Sequence, residues 1–283
     1  MIPKGKLLII GGHEDKGLEG ERPEILNKET HASNFELLGS LMTTETRAHQ
    51  VIEIIAAASS IPAEMEEMYM AAYKNAGYVK VGILRIDKPE DAHDTERIKR
   101  VQYAHCVFFT GGDQKKLVSL IGGSPLMEAI HRKYFNDPHF VVAGTSAGAM
   151  SMPAHMLSRG VIEEAIFKSD IEMSAGLGLI EGVIVDTHFI KRGRFGRLAF
   201  AVASTPEARI GMGLGEDTAM VISNGNELEC HGSGTVVVID STDLADTNIE
   251  AADAYTPIAM TNLKVHLLTE GRKYFLKERK WEM

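Results

Sequence analysis

The sequence has little cysteine, a shortage of positive charge and no long apolar run, and each shortage excludes a class of protein. Two cysteines in 283 residues, Cys106 and Cys230, are too few for a disulfide framework. Lysine and arginine total 30 against 39 acidic residues, a net charge of −9, so no basic field attracts nucleic acid or an anionic membrane surface. No stretch approaches the roughly 18 consecutive apolar residues of a transmembrane helix, and the first apolar run is too short for a signal peptide. We therefore expect a cytoplasmic protein without nucleic-acid or membrane partners.

The composition is that of an ordinary globular chain. Hydrophobic residues make up 44% of the sequence and charged residues 24%, a balance far from that of disordered proteins. The sequence contains no repeat, no low-complexity tract and no linker rich in proline or serine. We expect one domain over residues 1–283.

The order of apolar runs predicts an α/β fold. In the first half, short apolar runs alternate with helical patterns, which is typical of βαβ units and a parallel sheet. Strands are predicted at 7–10, 49–58, 79–86, 106–109 and 140–143, helices at 64–76, 91–103 and 198–203, and later β segments at 183–185, 218–223, 227–230, 235–239 and 265–268. Asn224-Gly225 lies between two of the later segments and is a strong hairpin signal. The predicted fold is a mainly parallel, doubly wound sheet with flanking helices and an antiparallel extension in the C-terminal part.

The segment Gly144-Thr145-Ser146-Ala147-Gly148 follows an apolar strand and has the pattern of a nucleophile elbow. Such a turn needs glycine two residues to either side of the serine because the change from strand to helix leaves no room for side chains. We expect Ser146 to project into the crevice at the carboxyl ends of the strands. The Ala147 N–H at the start of the following helix is a candidate oxyanion donor, with a second donor from Gly112 or Asp113.

A serine nucleophile requires a base and a third group that orients the base. Of eleven histidines, His188 comes at the end of the first predicted strand after the elbow helix, and a purely structural histidine is the alternative. Glu216 is the candidate orienting acid, with Asp217, Glu163 and Glu164 as rivals. The order serine, histidine, acid differs from that of the α/β-hydrolases and indicates another fold family.

The glycines and acids near the first strand do not predict a cofactor. His13, Glu14 and Asp15 are adjacent on an irregular loop, and three consecutive side chains rarely point at one metal ion. Gly11-Gly12 lacks the Gly-x-Gly-x-x-Gly spacing of a dinucleotide-binding loop. We expect neither a metal nor another cofactor.

Several ordered motifs together resemble a known family. They lie at 9–16, 110–114, 144–149, 186–189, 192–198 and 215–219. These segments are similar to those of the serine peptidases that include the cyanophycinases and the aspartyl dipeptidases. The resemblance implies a fold like that of the class I glutamine amidotransferases.

The resemblance also implies a role for individual residues. It makes Ser146 the nucleophile, His188 the general base and acid, and Glu216 the orienting carboxylate, although an acid near Glu164 is an alternative from the aspartyl dipeptidases. Around the substrate it places Gln114, Asp186, Thr187, Arg192, Arg194 and Arg197. Thr187 stands where the family often has glutamine, which shortens a hydrogen-bonding arm.

The implied substrate is cyanophycin, a polyaspartate in which each β-carboxyl carries an arginine. The implied activity is that of an exopeptidase that releases β-aspartyl-arginine, and the implied assembly is a homodimer. Arginines of the 192–197 segment suit the carboxylates of this polymer, and Asp186 suits its guanidinium groups. The alternatives are an aspartyl or isoaspartyl dipeptidase of the same fold and a binding protein that has lost the chemistry.

Overall fold

In a computed structural model, residues 1–12, 44–160 and 165–282 are described. The strands of this part of the chain are β1 Lys6–Ile10, β2 Val51–Ile55, β3 Lys80–Ile83, β4 Cys106–Phe109, β5 Val141–Thr145, β6 His155–Gly160, β7 Ile171–Ala175, β8 Val183–Asp186, β9 Ile210–Leu214, β10 Thr218–Ser223, β11 Glu227–Gly232, β12 Val236–Asp240, β13 Lys264–Leu268, β14 Lys273–Phe275 and β15 Lys280–Glu282. The helices are α1 Thr44–Arg47, α2 Pro62–Asn75, α3 Thr95–Tyr103, α4 Gln114–Ile121, α5 Pro125–Asn136, α6 Ala147–Met150 and α7 Phe195–Ser204, with 3₁₀ turns at Pro89–His93 and Lys168–Asp170.

The strands form one large mixed sheet, a smaller sheet and a hairpin. The large sheet has the order β15-β14-β11-β10-β1-β5-β4-β2-β3. The strands from β1 to β3 in that order are parallel, and the strands from β10 to β15 extend the sheet antiparallel. The small sheet has the order β13-β12-β9-β8, in which only β8 and β9 are parallel. Strands β6 and β7 pair with each other.

The central parallel strands β1 and β4 are buried on both faces, as their apolar sequences predict, whereas the edge strand β3 is partly exposed. Leu7 to Ile10 of β1 and Val107 to Phe109 of β4 are fully buried. One apolar cluster joins the two sheets, since it contains Leu7 and Phe109 together with Val185 of β8 and Val238 of β12. The small sheet is therefore packed against the large one, which places the end of β8 near the end of β1.

Local sequence explains where the flanking helices begin. Asp94 caps α3 by accepting a hydrogen bond from the Arg97 N–H at 2.9 Å, and it separates this helix from the preceding 3₁₀ turn. Ser124 caps α5, and Pro125 takes the first helical position, where its missing N–H costs nothing.

The predicted fold class is confirmed, with several differences in detail. The predicted helix 91–103 is interrupted at its cap, and the predicted strand 49–58 is only Val51–Ile55. The later β segments divide between two sheets rather than forming one extension. Helices α4 and α5, strand β9, the β6–β7 hairpin and the final strands β14 and β15 were not predicted. The hairpin strands carry polar residues without regular alternation, so they lack the pattern from which a strand is inferred.

The two cysteines are free thiols buried in β4 and β11. Burial raises the pKa of each thiol, Cys106 and Cys230, to about 12. None of the helices that the structure describes is long and apolar enough to cross a membrane.

Candidate active site

Ser146 lies at a sharp turn between β5 and α6. Its backbone has φ 50° and ψ −117°, a strained conformation for a residue with a side chain. A Cβ at Gly144 would lie 2.9 Å from the Gly148 carbonyl carbon, and one at Gly148 would lie 2.4 Å from the Phe109 carbonyl oxygen. Only glycine fits at either position, so the Gly-x-Ser-x-Gly pattern is a steric requirement of this turn.

A continuous line of hydrogen bonds runs from the serine to a carboxylate. Ser146 Oγ lies 3.0 Å from His188 Nε2, and His188 Nδ1 lies 2.8 Å from Glu216 Oε1. The second carboxylate oxygen, Oε2, accepts a hydrogen bond from Lys191 Nζ at 2.9 Å. The structure thus brings together the three residues predicted as nucleophile, base and orienting acid, in the geometry of a serine hydrolase triad.

His188 is almost fully buried, with 6% of its surface exposed. Burial lowers the pKa of its imidazole below the ordinary 6.5, and the positive charges of Arg192 and Arg194 lower this pKa further. The hydrogen bond and the charge of Glu216 act in the opposite direction and only partly offset the burial. The imidazole is therefore neutral at pH 7 and can accept a proton from Ser146.

The loop after β4 lies beside the nucleophile and contains one candidate oxyanion donor. A Cβ on Gly111 would be 3.4 Å from Ser146 Cβ, so this loop contacts the serine. The Asp113 N–H already donates to the Ala58 carbonyl oxygen at 2.8 Å, which leaves Gly112 as the better of the two predicted donors on this loop. Ala147, the other predicted donor, is the first residue of α6.

Asp186, at the end of β8, has 0% exposure and is enclosed by arginines. Arg197 Nε donates to its Oδ2 at 2.6 Å and Arg197 Nη2 donates to its Oδ1. Arg194 Nη1 donates to the same Oδ1 at 3.2 Å. Arg197 itself is buried, with 8% exposure. This corrects the expectation that Asp186 pairs with an arginine of the substrate and that Arg197 binds its carboxylates, because these charges already neutralise each other beneath the surface.

The remaining predicted substrate residues differ in exposure. Thr187 is fully buried, and its Oγ1 has no hydrogen-bond partner in the described part of the chain. The Gln114 amide group donates to the Leu157 carbonyl oxygen at 2.8 Å, which ties α4 to β6. Arg194 also donates to the Thr187 carbonyl oxygen at 2.6 Å, and burial lowers the pKa of its guanidinium to about 10. Arg192 is exposed on the loop after His188.

Of the three alternative orienting acids, the structure describes only Asp217. Asp217 Oδ2 accepts a hydrogen bond from Ser233 Oγ at 2.7 Å, while its neighbour Glu216 contacts His188. Glu163 and Glu164 lie outside the described residues, as do His13, Glu14, Asp15 and Lys16. Within the described ranges, no group of three or more histidine, cysteine, aspartate and glutamate side chains could hold a metal ion.

Two features of the site were not found from the sequence. Lys191 contacts the orienting acid, and its only signal is a basic residue three positions after the candidate histidine. Gly12 lies against the histidine ring, where a Cβ would be 2.5 Å from His188 Nε2. The sequence signal for this contact was the pair Gly11-Gly12 directly after a buried strand, because glycines there indicate that another backbone or side chain approaches closely.

Comparisons with known proteins identify relatives of this chain. The sequence model of peptidase family S51 matches residues 28–229. Cyanophycinase from Trichormus variabilis is 36% identical over 276 residues, which cover 98% of this chain and 87% of that protein. Cyanophycinase from Geminocystis herdmanii is 33% identical over 271 residues, covering 96% of this chain and 93% of that protein.

A solved structure supports the fold. The crystal structure of a peptidase from an acI-B1 Actinobacterium superposes with a TM-score of 0.65 at 22% identity, covering 96% of this chain and 97% of the other. The family match covers well over half of the sequence, and it includes Ser146, His188 and Glu216. The chain therefore belongs to peptidase family S51, a family of serine-type peptidases.

Proposed function

We propose that the protein is a serine exopeptidase that hydrolyses cyanophycin, multi-L-arginyl-poly-L-aspartate, and releases β-aspartyl-arginine dipeptides. The observation that carries the proposal is the hydrogen-bonded line Ser146–His188–Glu216. Its substrate is supported by the cyanophycinases of T. variabilis and G. herdmanii, which align with nearly the whole chain.

In the proposed acylation step, Ser146 Oγ attacks the backbone carbonyl carbon of an aspartyl residue. The serine proton moves to His188 Nε2, which lies 3.0 Å away, and Glu216 stabilises the imidazolium that forms. The N–H groups of Ala147 and Gly112 stabilise the oxyanion. The C–N bond then breaks as the imidazolium gives its proton to the leaving amine.

Deacylation repeats these steps with water as the nucleophile. His188 accepts a proton from the water, whose oxygen attacks the acyl carbon, and the ester bond to Ser146 Oγ breaks as the serine regains its proton. The products are the free carboxylate of the acyl fragment and the regenerated Ser146 hydroxyl. The side chains supply both the nucleophile and the proton carrier, so this mechanism needs no metal or cofactor.

Substrate recognition is proposed to use exposed side chains that contact the polymer and buried side chains that hold the backbone of the site in place. Arg192 is exposed and is the arginine of its segment best placed to bind a carboxylate of the polymer. The buried cluster of Asp186, Arg194 and Arg197 holds the backbone that leads from β8 to His188. Gln114, whose amide nitrogen donates to the Leu157 carbonyl oxygen, is proposed to accept a hydrogen bond from the substrate through its own carbonyl oxygen.

The test is incubation of the purified protein with insoluble cyanophycin, with clearing of the suspension followed by mass analysis of the soluble product. Ser146→Ala serves as the control. Release of β-aspartyl-arginine by the wild type alone supports the proposal. Cleavage of short aspartyl or isoaspartyl peptides without clearing would favour a dipeptidase. Failure of both reactions, together with no labelling by a fluorophosphonate, would favour a binding protein.

We further propose that the enzyme is a cytoplasmic homodimer in which residues 1–283 form one folding unit. The dimer is supported by the family resemblance, and the cytoplasm by two buried free thiols that require no oxidising compartment. Sedimentation analysis would give the mass of the assembly. A single cooperative unfolding transition is the expected result for one folding unit.

A further inference from the structure

Strand β1 ends between the elements that carry the catalytic residues. On one side it pairs with β5, so that Ile10 is opposite Thr145, the residue before the nucleophile. On the other side it pairs with β10, so that Ile10 is opposite Ala219, three residues after Glu216. The two glycines that follow β1 therefore enter the space between the nucleophile and the orienting acid.

Three consecutive carbonyl groups at this point bind the catalytic segments. The Ile10 carbonyl oxygen accepts a hydrogen bond from the Ser146 N–H at 3.1 Å, and the Gly11 carbonyl oxygen accepts one from the His188 N–H at 2.9 Å. The Gly12 carbonyl oxygen accepts one from the N–H of Asp217, the neighbour of Glu216, at 3.0 Å. We call Ile10-Gly11-Gly12 the strand-end tripeptide.

The residues that donate these bonds share an unusual backbone. Ser146, His188 and Asp217 have φ of 50°, 48° and 49°, and they are three of the six non-glycine residues with positive φ in the described ranges. Left-handed backbone is costly for a residue with a side chain and persists only where the surroundings hold it. The carbonyl groups of the strand-end tripeptide stabilise this backbone conformation at all three positions, because each accepts a hydrogen bond from one of the three residues.

Neither glycine of the tripeptide has room for a side chain. A Cβ on Gly11 would lie 1.8 Å from the Gly215 carbonyl oxygen, in the loop that leads to Glu216. Gly12 has φ +98°, and a Cβ there would lie 2.4 Å from His188 Cε1 and 2.5 Å from Nε2. The obstructed ring nitrogen is the one that contacts Ser146 Oγ.

We infer that Gly12 is a positioning residue, whose missing side chain lets the His188 ring stand within hydrogen-bonding distance of Ser146. The strand-end tripeptide holds the backbone of Ser146, of His188 and of Asp217, the neighbour of Glu216, and takes no part in the bond changes itself. This inference rests on the proposed function, because it assumes that the three residues act as a triad.

The test compares two glycine-to-alanine variants at positions with nearly the same positive φ. Gly12→Ala places a methyl group against the His188 ring. Gly77→Ala is the matched control, since Gly77 has φ +95° and its nearest neighbour for a Cβ is Arg47 Cδ at 3.9 Å. The measurements are the rate constant for fluorophosphonate labelling and the midpoint of thermal unfolding.

We expect Gly12→Ala to slow labelling by about 100-fold or more, the usual cost of displacing a catalytic group by about 1 Å. Gly77→Ala should label at the wild-type rate even though its unfolding midpoint falls. Labelling of folded Gly12→Ala at the wild-type rate would overturn the inference.

A second pair of variants covers the case in which Gly12→Ala does not fold. Gly12→Ala is combined with His188→Ala, which removes the ring. If the methyl group acts through the ring, changing Gly12 should destabilise the His188→Ala protein less than the wild type, by no more than the backbone cost of alanine at φ +98°, so that the double variant folds. An equal loss in both backgrounds would contradict the inference.

The same experiments test the role of Gly12 and the proposed substrate independently of each other. If the wild type labels but leaves cyanophycin intact, the substrate assignment fails and the role of Gly12 stands. If the wild type releases dipeptide while the two alanine variants label equally fast, the function stands and the role of Gly12 is wrong.

Discussion

Two pairs of acidic and basic side chains, Asp186–Arg197 and His188–Glu216, lie at the end of β8. Asp186 and His188 are two residues apart, and the pairs differ in burial and in the type of basic side chain. Asp186 is fully buried and bonded to Arg197, which has 8% exposure. The next pair, His188 and Glu216, opens toward the crevice, with 22% of the Glu216 side chain exposed and the histidine in contact with Ser146.

The chemistry of the basic partner explains this difference. Arginine keeps its charge at any physiological pH, so the Asp186 pair is permanent and can only hold the backbone. Histidine changes its charge near neutral pH, so its pair with Glu216 can take up and release a proton. Two side chains only two residues apart thus have different roles: Asp186 supports the backbone, and His188 takes part in the reaction. The variants that follow test this difference.

The largest effect is expected for Glu216→Gln. Without the carboxylate, the imidazolium formed during catalysis is not stabilised, and hydrolysis should fall by about 10⁴-fold with little change in unfolding. The matched control is Glu229→Gln, since Glu229 also lies near a histidine, His231, at 3.5 Å but away from the nucleophile. Kinetics with a soluble cyanophycin fragment would measure both. A loss below tenfold would contradict the role of Glu216 as orienting acid.

Asp186→Asn should act on stability. Removing one partner leaves buried arginine charge without its counter-charge, and we expect the free energy of unfolding to fall by about 3–5 kcal/mol. Urea denaturation followed by circular dichroism measures this change. Asp243→Asn is the control, because Asp243 pairs with Lys264 on the surface and should have little effect. Equal stability of the two variants would refute the structural role of Asp186.

The pH dependence of labelling should follow His188. Labelling requires the neutral imidazole, so its rate should rise with pH through the pKa of His188 and then level off. Since burial lowers that pKa, the midpoint should lie below 6.5. Arg192→Ala should move the midpoint upward, because the variant removes a nearby positive charge. A midpoint at or above 6.5 in the wild type would show that the pair with Glu216 outweighs the burial.

The smallest effect is expected for Lys191→Met. Lys191 contacts the catalytic carboxylate at 2.9 Å, but its side chain is 66% exposed, and solvent screens such a pair. Hydrolysis should fall by no more than about fivefold, and added salt should reduce the difference from the wild type. A loss as large as that of Glu216→Gln would make Lys191 an essential part of the site.

The sequence predicted those features that depend on local pattern. The nucleophile elbow is local because two glycines flank the serine within five residues, and the parallel strands appear as continuous apolar runs. The structure brings His188 and Glu216 to Ser146 as expected, although their catalytic roles stay predictions.

The features that were missed depend on contacts between distant segments. Three arginines within six residues resemble a solvated helix face, and nothing local indicates that the first turn of α7 packs onto Asp186. The contact of Gly12 with His188 joins residues 176 positions apart in sequence. Such contacts are set by the packing of the small sheet against the large one, which periodicity does not describe.

The burial of the two thiols has a practical consequence for fluorescence work. Thiol reagents react with the thiolate, and with pKa values of about 12 neither Cys106 nor Cys230 forms it appreciably at neutral pH. A cysteine introduced at Ile190, which is 60% exposed and two residues from His188, would be the single reactive thiol of the chain. A fluorophore can then be attached beside the candidate active site without removal of either native cysteine.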